Sequence, residues 1–332
     1  MKIAINGMGR IGRAALKVIL ENKALEIVAV NDIVSIENVT YLLNYDTVYG
    51  TYEHKVTHSD NALIINDKTI PFYSERNPEA LPWNAHNVDL VIESTGVFTG
   101  YKDAEKHIKA GAKTVIISAP TKSVEAPTVV HGVNTEAGHT SVFSCASCTT
   151  NNISPIVEIL GRRLGIKKAI MTTVHAYTAS QTAVDGPNKK NFRMGRAGAA
   201  NIIPTTTGAA IATTKALPEY EGKFDGVAIR VPIPVGSLSD MTFVMENDVT
   251  VEDVNNILVE ESKTNRYKNV IDTMSDPIVS SDIVKSPYAS TVDLSMTRVV
   301  DGDLLKVMTW YDNEWGFTNQ MVRQIIDIKN NK

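Results

Sequence analysis

Hydrophobic positions in the first half of the chain switch repeatedly between two periods. A short apolar run, Ile3-Ala4-Ile5, has strand character; residues 10–22 then space Ile11, Ala15, Val18 and Ile19 three and four apart, which lines one helical face. Residues 25–30 read as a second strand and residues 88–92 and 114–118 as two more, the last two separated by a helix-like stretch at 102–109 closed by Gly111. This alternation predicts an α/β fold with a doubly wound parallel sheet. The second half carries longer strand candidates at 169–174, 226–231, 241–249 and 304–311, the pattern of an α+β domain with a mixed or antiparallel sheet. Residues 185–201, rich in Gly, Asn and Arg, have no period, and a loop of that length inside a compact domain is usually functional. Residues 319–328 read as a last helix, and the polar tail 330–332 is expected to fray.

Length and composition narrow the classes. At 332 residues the chain exceeds one ordinary core, and a prior of about 150 residues per domain gives two domains. Hydrophobic residues at 43% and charged residues at 21% match folded globular proteins, which excludes a disordered or fibrous chain. A net charge of -4 leaves no basic footprint for nucleic acid, and no apolar run reaches membrane-spanning length, so small molecules are the expected partners. The chain enters its first apolar run without a charged and hydrophobic leader, and a cytoplasmic location is expected. Two cysteines, Cys145 and Cys148, are too few and too close for a disulfide framework.

Directly after the first strand stands Gly7-Met8-Gly9-Arg10-Ile11-Gly12, a G-x-G-x-x-G that opens the first helix. The first glycine permits the tight turn, the second lets the backbone approach a pyrophosphate, and the third allows close helix–strand packing. The helix N-terminus adds unpaired N–H groups and a positive dipole end. Asp32 ends the second strand 20 residues past Gly12, where a carboxylate accepts ribose hydroxyls and repels a 2′-phosphate, favouring NAD over NADP. The sheet is therefore expected to be of Rossmann type.

Cys148 lies in the polar run 144–152, between a strand and a helix start, where N–H groups and the helix dipole favour a thiolate. His175 ends the apolar strand 170–174 and can project into a cleft, so a Cys–His couple is possible. Three other readings stay open on spacing alone. Cys145-x-x-Cys148 could be a redox pair, though that motif belongs near the start of a compact βαβ domain. It could be half a zinc site, but no second half exists, and no metal is expected. Either cysteine could simply fill space. Arg230, alone inside an apolar strand, wants an anion partner.

The order Ala146-Ser147-Cys148-Thr149-Thr150-Asn151 followed by Thr172-Thr173-Val174-His175-Ala176-Tyr177-Thr178 resembles the glyceraldehyde-3-phosphate dehydrogenase family, as do Asp185-Gly186-Pro187, Thr207-Gly208-Ala209-Ala210 and Trp310-Tyr311-Asp312-Asn313-Glu314-Trp315. The similarity spans nearly the whole chain. It implies an NAD-binding domain at 1–147 and 315–332 and a catalytic domain at 148–314. It also implies a glycolytic reaction that takes D-glyceraldehyde 3-phosphate, NAD and inorganic phosphate to 1,3-bisphosphoglycerate and NADH through a thioester on Cys148, with His175 as base. By the same resemblance Thr178 and Arg230 hold the substrate phosphate, while Ser147, Thr149, Thr207 and Gly208 hold the attacking phosphate. Arg193 or Arg196 adds charge, and spacing does not choose between them. Cofactor contacts fall to Gly7, Gly9 and Gly12, to main-chain and side-chain atoms of Arg10 and Ile11, to Asp32, to Arg76 and Ser118, and to Asn313 at the nicotinamide carboxamide. A cytoplasmic homotetramer is the family's usual form.

Two positions depart from the family's pattern. Cys145 stands where asparagine is common, and Asn152 where a second cysteine is common, so Cys145 is expected to modulate oxidation of Cys148 without taking part in turnover. The nearest rival is erythrose-4-phosphate dehydrogenase, which takes a longer aldehyde and releases the acid to water; another is a binding protein that kept the fold and lost the reaction. Arg162, Arg163, Lys167 and Lys168 are expected to form a solvated helix end, and His54 and His58 a surface strand.

Overall fold

The computed structural model describes residues 1–189 and 191–331. Lys190, in the 185–201 loop, and Lys332, the end of the polar tail, lie outside them. The chain divides into two compact units, Met1–Ala146 with Met321–Lys332, and Ser147–Gln320.

The first unit runs β1 (Lys2–Asn6), α1 (Arg10–Leu20), β2 (Glu26–Asn31), α2 (Ile36–Asn44), a two-stranded ribbon β3 (Tyr45–Asp46) and β4 (Gly50–Thr51), then β5 (Val56–His58), β6 (Ala62–Ile65), β7 (Lys68–Tyr73), β8 (Leu90–Glu93), α3 (Tyr101–Lys109), β9 (Thr114–Ile117) and β10 (Val142–Ser144). Its main sheet has the order β10-β9-β8-β1-β2-β7-β6-β5. Strands β10 through β7 pair in parallel, as the alternation predicts, but β7, β6 and β5 form an antiparallel meander at the edge. The cause is local. Asn66 and Asp67 both hold positive φ, 48° and 63°, which gives the two-residue hairpin turn that suits strand twist. Because β1 is flanked by both β2 and β8, sheet growth reverses there, and the crevice at the carboxyl ends is where such sheets take ligands. Trp83, Val91, Val115 and Ile117 pack in the core beneath.

The second unit contains α4 (Cys148–Leu164), β11 (Ile166–Ala176), β12 (Ile203–Thr206), α5 (Ala209–Ala216), β13 (Phe224–Val231), β14 (Ser237–Met245), α6 (Val251–Ser262), β15 (Ile271–Met274), β16 (Ser290–Asp293), β17 (Arg298–Val300) and β18 (Leu304–Tyr311). Its sheet, ordered β12-β13-β11-β14-β18-β16-β15 with β17 on β18, is mixed: β11 pairs β13 in parallel and β14 antiparallel. Strand β14 starts and ends four residues before the expected 241–249. Ser237 and Ser239 are fully buried, so hydroxyls carry inward positions that an apolar pattern does not mark, and the Glu246 N–H already turns back to the Gly165 carbonyl. Helix α4 buries Ile153, Ile156, Val157 and Leu160. On the outward positions of the sheet, Ile170, Val227 and Leu304 stay exposed.

The last helix, α7 (Trp315–Asn330), divides between the units. Gln320 donates to the Pro287 and Asn269 carbonyls of the second unit, whereas Gln324 donates to the Thr135 carbonyl of the first. Arg162 and Arg163 do not form a simple solvated helix end. Arg162 pairs with Glu158 and Glu261, and Arg163 with Glu260 and Glu261, because α6 runs its acidic end alongside.

Candidate active site

A cavity of about 300 Å³ opens at the carboxyl ends of β1, β2 and β8. Gly7, Gly9, Asp32 and Arg76 line it. Gly7 has φ +98°, and a Cβ there would come 2.6 Å from the Thr95 nitrogen; at Gly12 it would meet the Gly7 carbonyl at 1.9 Å. Gly9 faces open space and α1 has no side-chain cap, so the first N–H groups of the helix are presented to whatever fills the cavity, as an anion requires. Asp32 is held by the Met8 and Val34 N–H groups at 2.6 and 2.9 Å. Apolar walls come from Ile33, Val97 and Phe98, which carry no signal in the sequence because single apolar residues in loops have no period.

Arg10 lies at the start of α1. Its guanidinium bonds Asp46 and lies 5.4 Å from the centre of the Tyr49 ring. Ile11 is half-buried in the same turn, and Ser118, just past β9, donates its N–H to the Glu93 carbonyl.

In the second unit Cys148 is the first residue of α4, with Ser147 capping that helix by accepting the Thr150 N–H at 3.1 Å. The preceding Ala146 holds φ 61°, a left-handed conformation unusual for alanine that makes the sharp turn out of β10. Cys148 Sγ lies 3.4 Å from His175 Nε2. His175 Nδ1 is 2.7 Å from the Ala176 carbonyl; with the ring proton on Nδ1 this contact is a hydrogen bond and the Nε2 lone pair faces sulfur. The parallel pairing of β11 and β13 sets Arg230 opposite His175, with Nη1 2.7 Å from Nδ1 and 3.0 Å from the Ala176 carbonyl. Among the described residues Arg230 Nε is buried without a partner.

Electrostatics follow from this packing. His175 is only 4% exposed and does not project into an open cleft; burial, and then the Arg230 charge, push its imidazole down to about 3. Burial pushes the Cys148 thiol up, and the Arg230 charge and the Thr149 hydrogen bonds oppose it. Both shifts run against the ion pair that a helix start alone suggests. Tyr311, buried edge-on to His175, joins the Thr149 and Thr173 hydroxyls at 2.9 and 2.8 Å. The Thr149 hydroxyl thus points into the core, leaving its main chain to meet an anion.

The other expected anion ligands stand apart from this cluster: none of Thr178, Arg193 and Thr207 is hydrogen-bonded to it among the described residues. Thr178 pairs with the Ser180 hydroxyl, and Thr207 caps Ala209 while Gly208 opens α5 without a side-chain cap. Arg196 is taken by Asp185 at 2.8 Å, whereas among the described residues the Arg193 guanidinium makes a 3.4 Å bond to the Pro204 carbonyl. Asn313 accepts from Gly236 N–H and Ser237 Oγ, which fixes its amide. Cys145 is buried, donates to the Ile117 carbonyl, and has its thiol pushed up by burial, the environment of an inert cysteine and not of a redox partner. Asn152, also buried, donates to Ala289 and Ser290 and accepts from Thr309, tying α4 to β16 and β18. Among the described residues no His, Cys, Asp and Glu group could hold a metal, and no helix is long and apolar enough to cross a membrane.

A Rossmann-type sheet with a dinucleotide cavity, together with a second unit carrying a thiol 3.4 Å from a buried imidazole, defines an NAD-dependent oxidoreductase. Residues 1–101 match the family profile described as glyceraldehyde 3-phosphate dehydrogenase, NAD binding domain, and residues 147–313 the corresponding C-terminal domain. The chain is 46% identical over 335 residues to glyceraldehyde-3-phosphate dehydrogenase 2 of Streptomyces avermitilis, with 99% of each chain covered. It is 44% identical over 325 residues to glyceraldehyde-3-phosphate dehydrogenase 1 of Bacillus subtilis, covering 97% of this chain and 96% of the relative. The chain belongs to the glyceraldehyde-3-phosphate dehydrogenase family.

Proposed function

We propose that this protein oxidises D-glyceraldehyde 3-phosphate with NAD and inorganic phosphate to 1,3-bisphosphoglycerate and NADH, through a thioester on Cys148. The observation that carries this reading is Cys148 Sγ at the start of α4, 3.4 Å from His175 Nε2. As sulfur adds to the aldehyde carbon, His175 takes the thiol proton; the resulting oxyanion is stabilised by the Cys148 N–H and by the protonated imidazole. When bound, NAD would supply the hydride acceptor for that carbon, with Gly9 and Asp32 holding its pyrophosphate and ribose and Asn313 its carboxamide. Cys148 then carries the acyl group as a thioester, a phosphate oxygen attacks the acyl carbon, and the carbon–sulfur bond breaks to release the acyl phosphate and the thiolate.

Arg230 offers its unpartnered Nε to the substrate phosphate, with Thr178 beyond the end of β11. Ser147, Thr149, Thr207 and Gly208 serve the attacking phosphate with hydroxyls and helix-start N–H groups, and Arg193, free of any carboxylate among the described residues, supplies the added charge. The exposed Ile170, Val227 and Leu304 support self-association across the outer sheet face, consistent with a homotetramer. An NADH absorbance assay with the aldehyde, run with and without phosphate, tests the reaction. Rates that do not depend on phosphate would favour an acid-releasing dehydrogenase such as one for erythrose 4-phosphate, and no NADH in either arm would refute the enzymatic reading.

A further inference from the structure

Behind the dinucleotide cavity lies a buried polar chain that the proposed chemistry does not use. Glu93, at the end of β8, is 2% exposed, His107 on α3 is 0%, Asn6 at the end of β1 is 1% and Asn31 at the end of β2 is 3%. Trp83 Nε1–H donates to His107 Nδ1 at 2.9 Å; indole only donates, so the imidazole proton sits on Nε2 and points at Glu93 Oε2, 3.0 Å away. Asn6 Nδ2 donates to the same oxygen at 2.6 Å, and its 3.3 Å approach to His107 Nε2 is that of two donors converging on one acceptor. Glu93 Oε1 takes the Thr95 N–H at 2.8 Å and the Thr95 hydroxyl. Asn6 Oδ1 accepts from Asn31 Nδ2 at 2.7 Å, and Asn31 in turn clamps both main-chain groups of Glu75. Asn6, Asn31, Glu75 and Thr95 all line the cavity.

We infer that Glu93 is a positioning residue for the cofactor: its acceptor-only carboxylate, oriented by His107 and Trp83, sets the relative placement of the strand ends and of the Thr95 and Glu75 loops that form the cavity floor. This rests on the cavity being the NAD site. Four donors converge on two oxygens, so an amide in place of the carboxylate must turn its NH₂ against donors whichever way it is flipped. The damage falls on the cavity floor, because the links through Thr95 and through Asn6, Asn31 and Glu75 all end at residues that line it.

The test is Glu93→Gln in the full chain, with KM for NAD, KM for the aldehyde, kcat and thermal unfolding measured in parallel, and with NAD affinity read directly from quenching of tryptophan fluorescence. The expected result is a rise in KM and dissociation constant for NAD of about ten-fold or more, with kcat at saturating NAD and KM for the aldehyde within about two-fold. The double variant Asn6→Asp/Glu93→Gln should recover most of the affinity: the new carboxylate at position 6 accepts from the introduced amide at position 93 and from His107 Nε2 while still accepting from Asn31. NAD affinity unchanged in Glu93→Gln, a parallel fall in kcat and in both affinities, or no recovery in the double variant would each overturn the assignment. Parent enzyme that forms no NADH would instead count against the reaction itself.

Discussion

Replacing Arg230 with leucine removes a charge that has two separable jobs. Nη1 donates to the Ala176 carbonyl and lies against His175 Nδ1, which leaves Nε, buried without a partner among the described residues, and the outer nitrogen for a phosphate. Two charge-assisted hydrogen bonds of about 1.5–3 kcal/mol each, taken as less than additive because they share one group, amount to about 3–4 kcal/mol of lost transition-state binding. That corresponds to a fall in kcat/KM of about 10²–10³ for glyceraldehyde 3-phosphate. The second job is electrostatic. Without the guanidinium the Cys148 thiol loses the charge that pulls it down, while His175 is released upward from about 3 toward its ordinary value. These act in opposite directions on proton transfer, so the rate with unphosphorylated glyceraldehyde should fall by no more than about ten-fold. Steady-state NADH formation with both aldehydes separates the two jobs, and thermal unfolding checks that leucine is accommodated. An equal loss on both substrates would refute the anion role and leave Arg230 acting through the thiol–imidazole pair alone.

Three other outcomes follow from the same geometry. Cys145→Ser should keep turnover within about two-fold, whereas Cys148→Ser should lose about 10³-fold or more, and iodoacetamide should label Cys148 but not the buried Cys145; comparable losses in both variants would contradict the burial argument. His175, held neutral by burial and by Arg230, takes no proton until about pH 3, whereas the unfolded chain takes one below about 6.5; its contribution to stability is complete above 6.5 and is lost as pH falls through that window. Urea unfolding of His175→Asn should therefore show a flatter acid dependence than the parent, and superimposable profiles would argue against a buried neutral imidazole. Asn152→Ala strands the Thr309 hydroxyl and the Ala289 carbonyl in the core and should cost about 2–4 kcal/mol in urea unfolding; a loss below about 1 kcal/mol would mean that water or rearrangement satisfies them.

The Rossmann-type half was legible because its signals are local. A strand, a glycine turn and a helix with a three- and four-residue period occupy Lys2 to Leu20, and each glycine has the steric reason its motif implies. The antiparallel edge escapes the alternation although Asn66-Asp67 is itself a turn signal, since a short hairpin is hidden among helical crossovers. Strand β14 is displaced from its expected place because buried serines do not look like core. At the site, Cys148 and His175 were both visible in the sequence, but their 3.4 Å contact was not, nor was the pairing of Arg10 with Asp46.

What the amino-acid order determined by itself was the kind of protein: the period of its apolar residues, the G-x-G-x-x-G with Asp32, and which side chains could supply chemistry. These depend on neighbours within one turn of helix or one strand, and the chain carries them wherever it folds. Tertiary structure alone decided the state of the chemistry. A helix start favours a thiolate, yet packing β11 against β13 buries His175 and seats Arg230 against its ring, and desolvation pushes the Cys148 thiol up and the imidazole down, both against the ion pair. Of the two cysteines three residues apart, Cys148 meets the His175 imidazole, while Cys145 is buried and donates to the Ile117 carbonyl. Desolvation and the placement of a charge depend on residues distant in sequence, and no local pattern reports them.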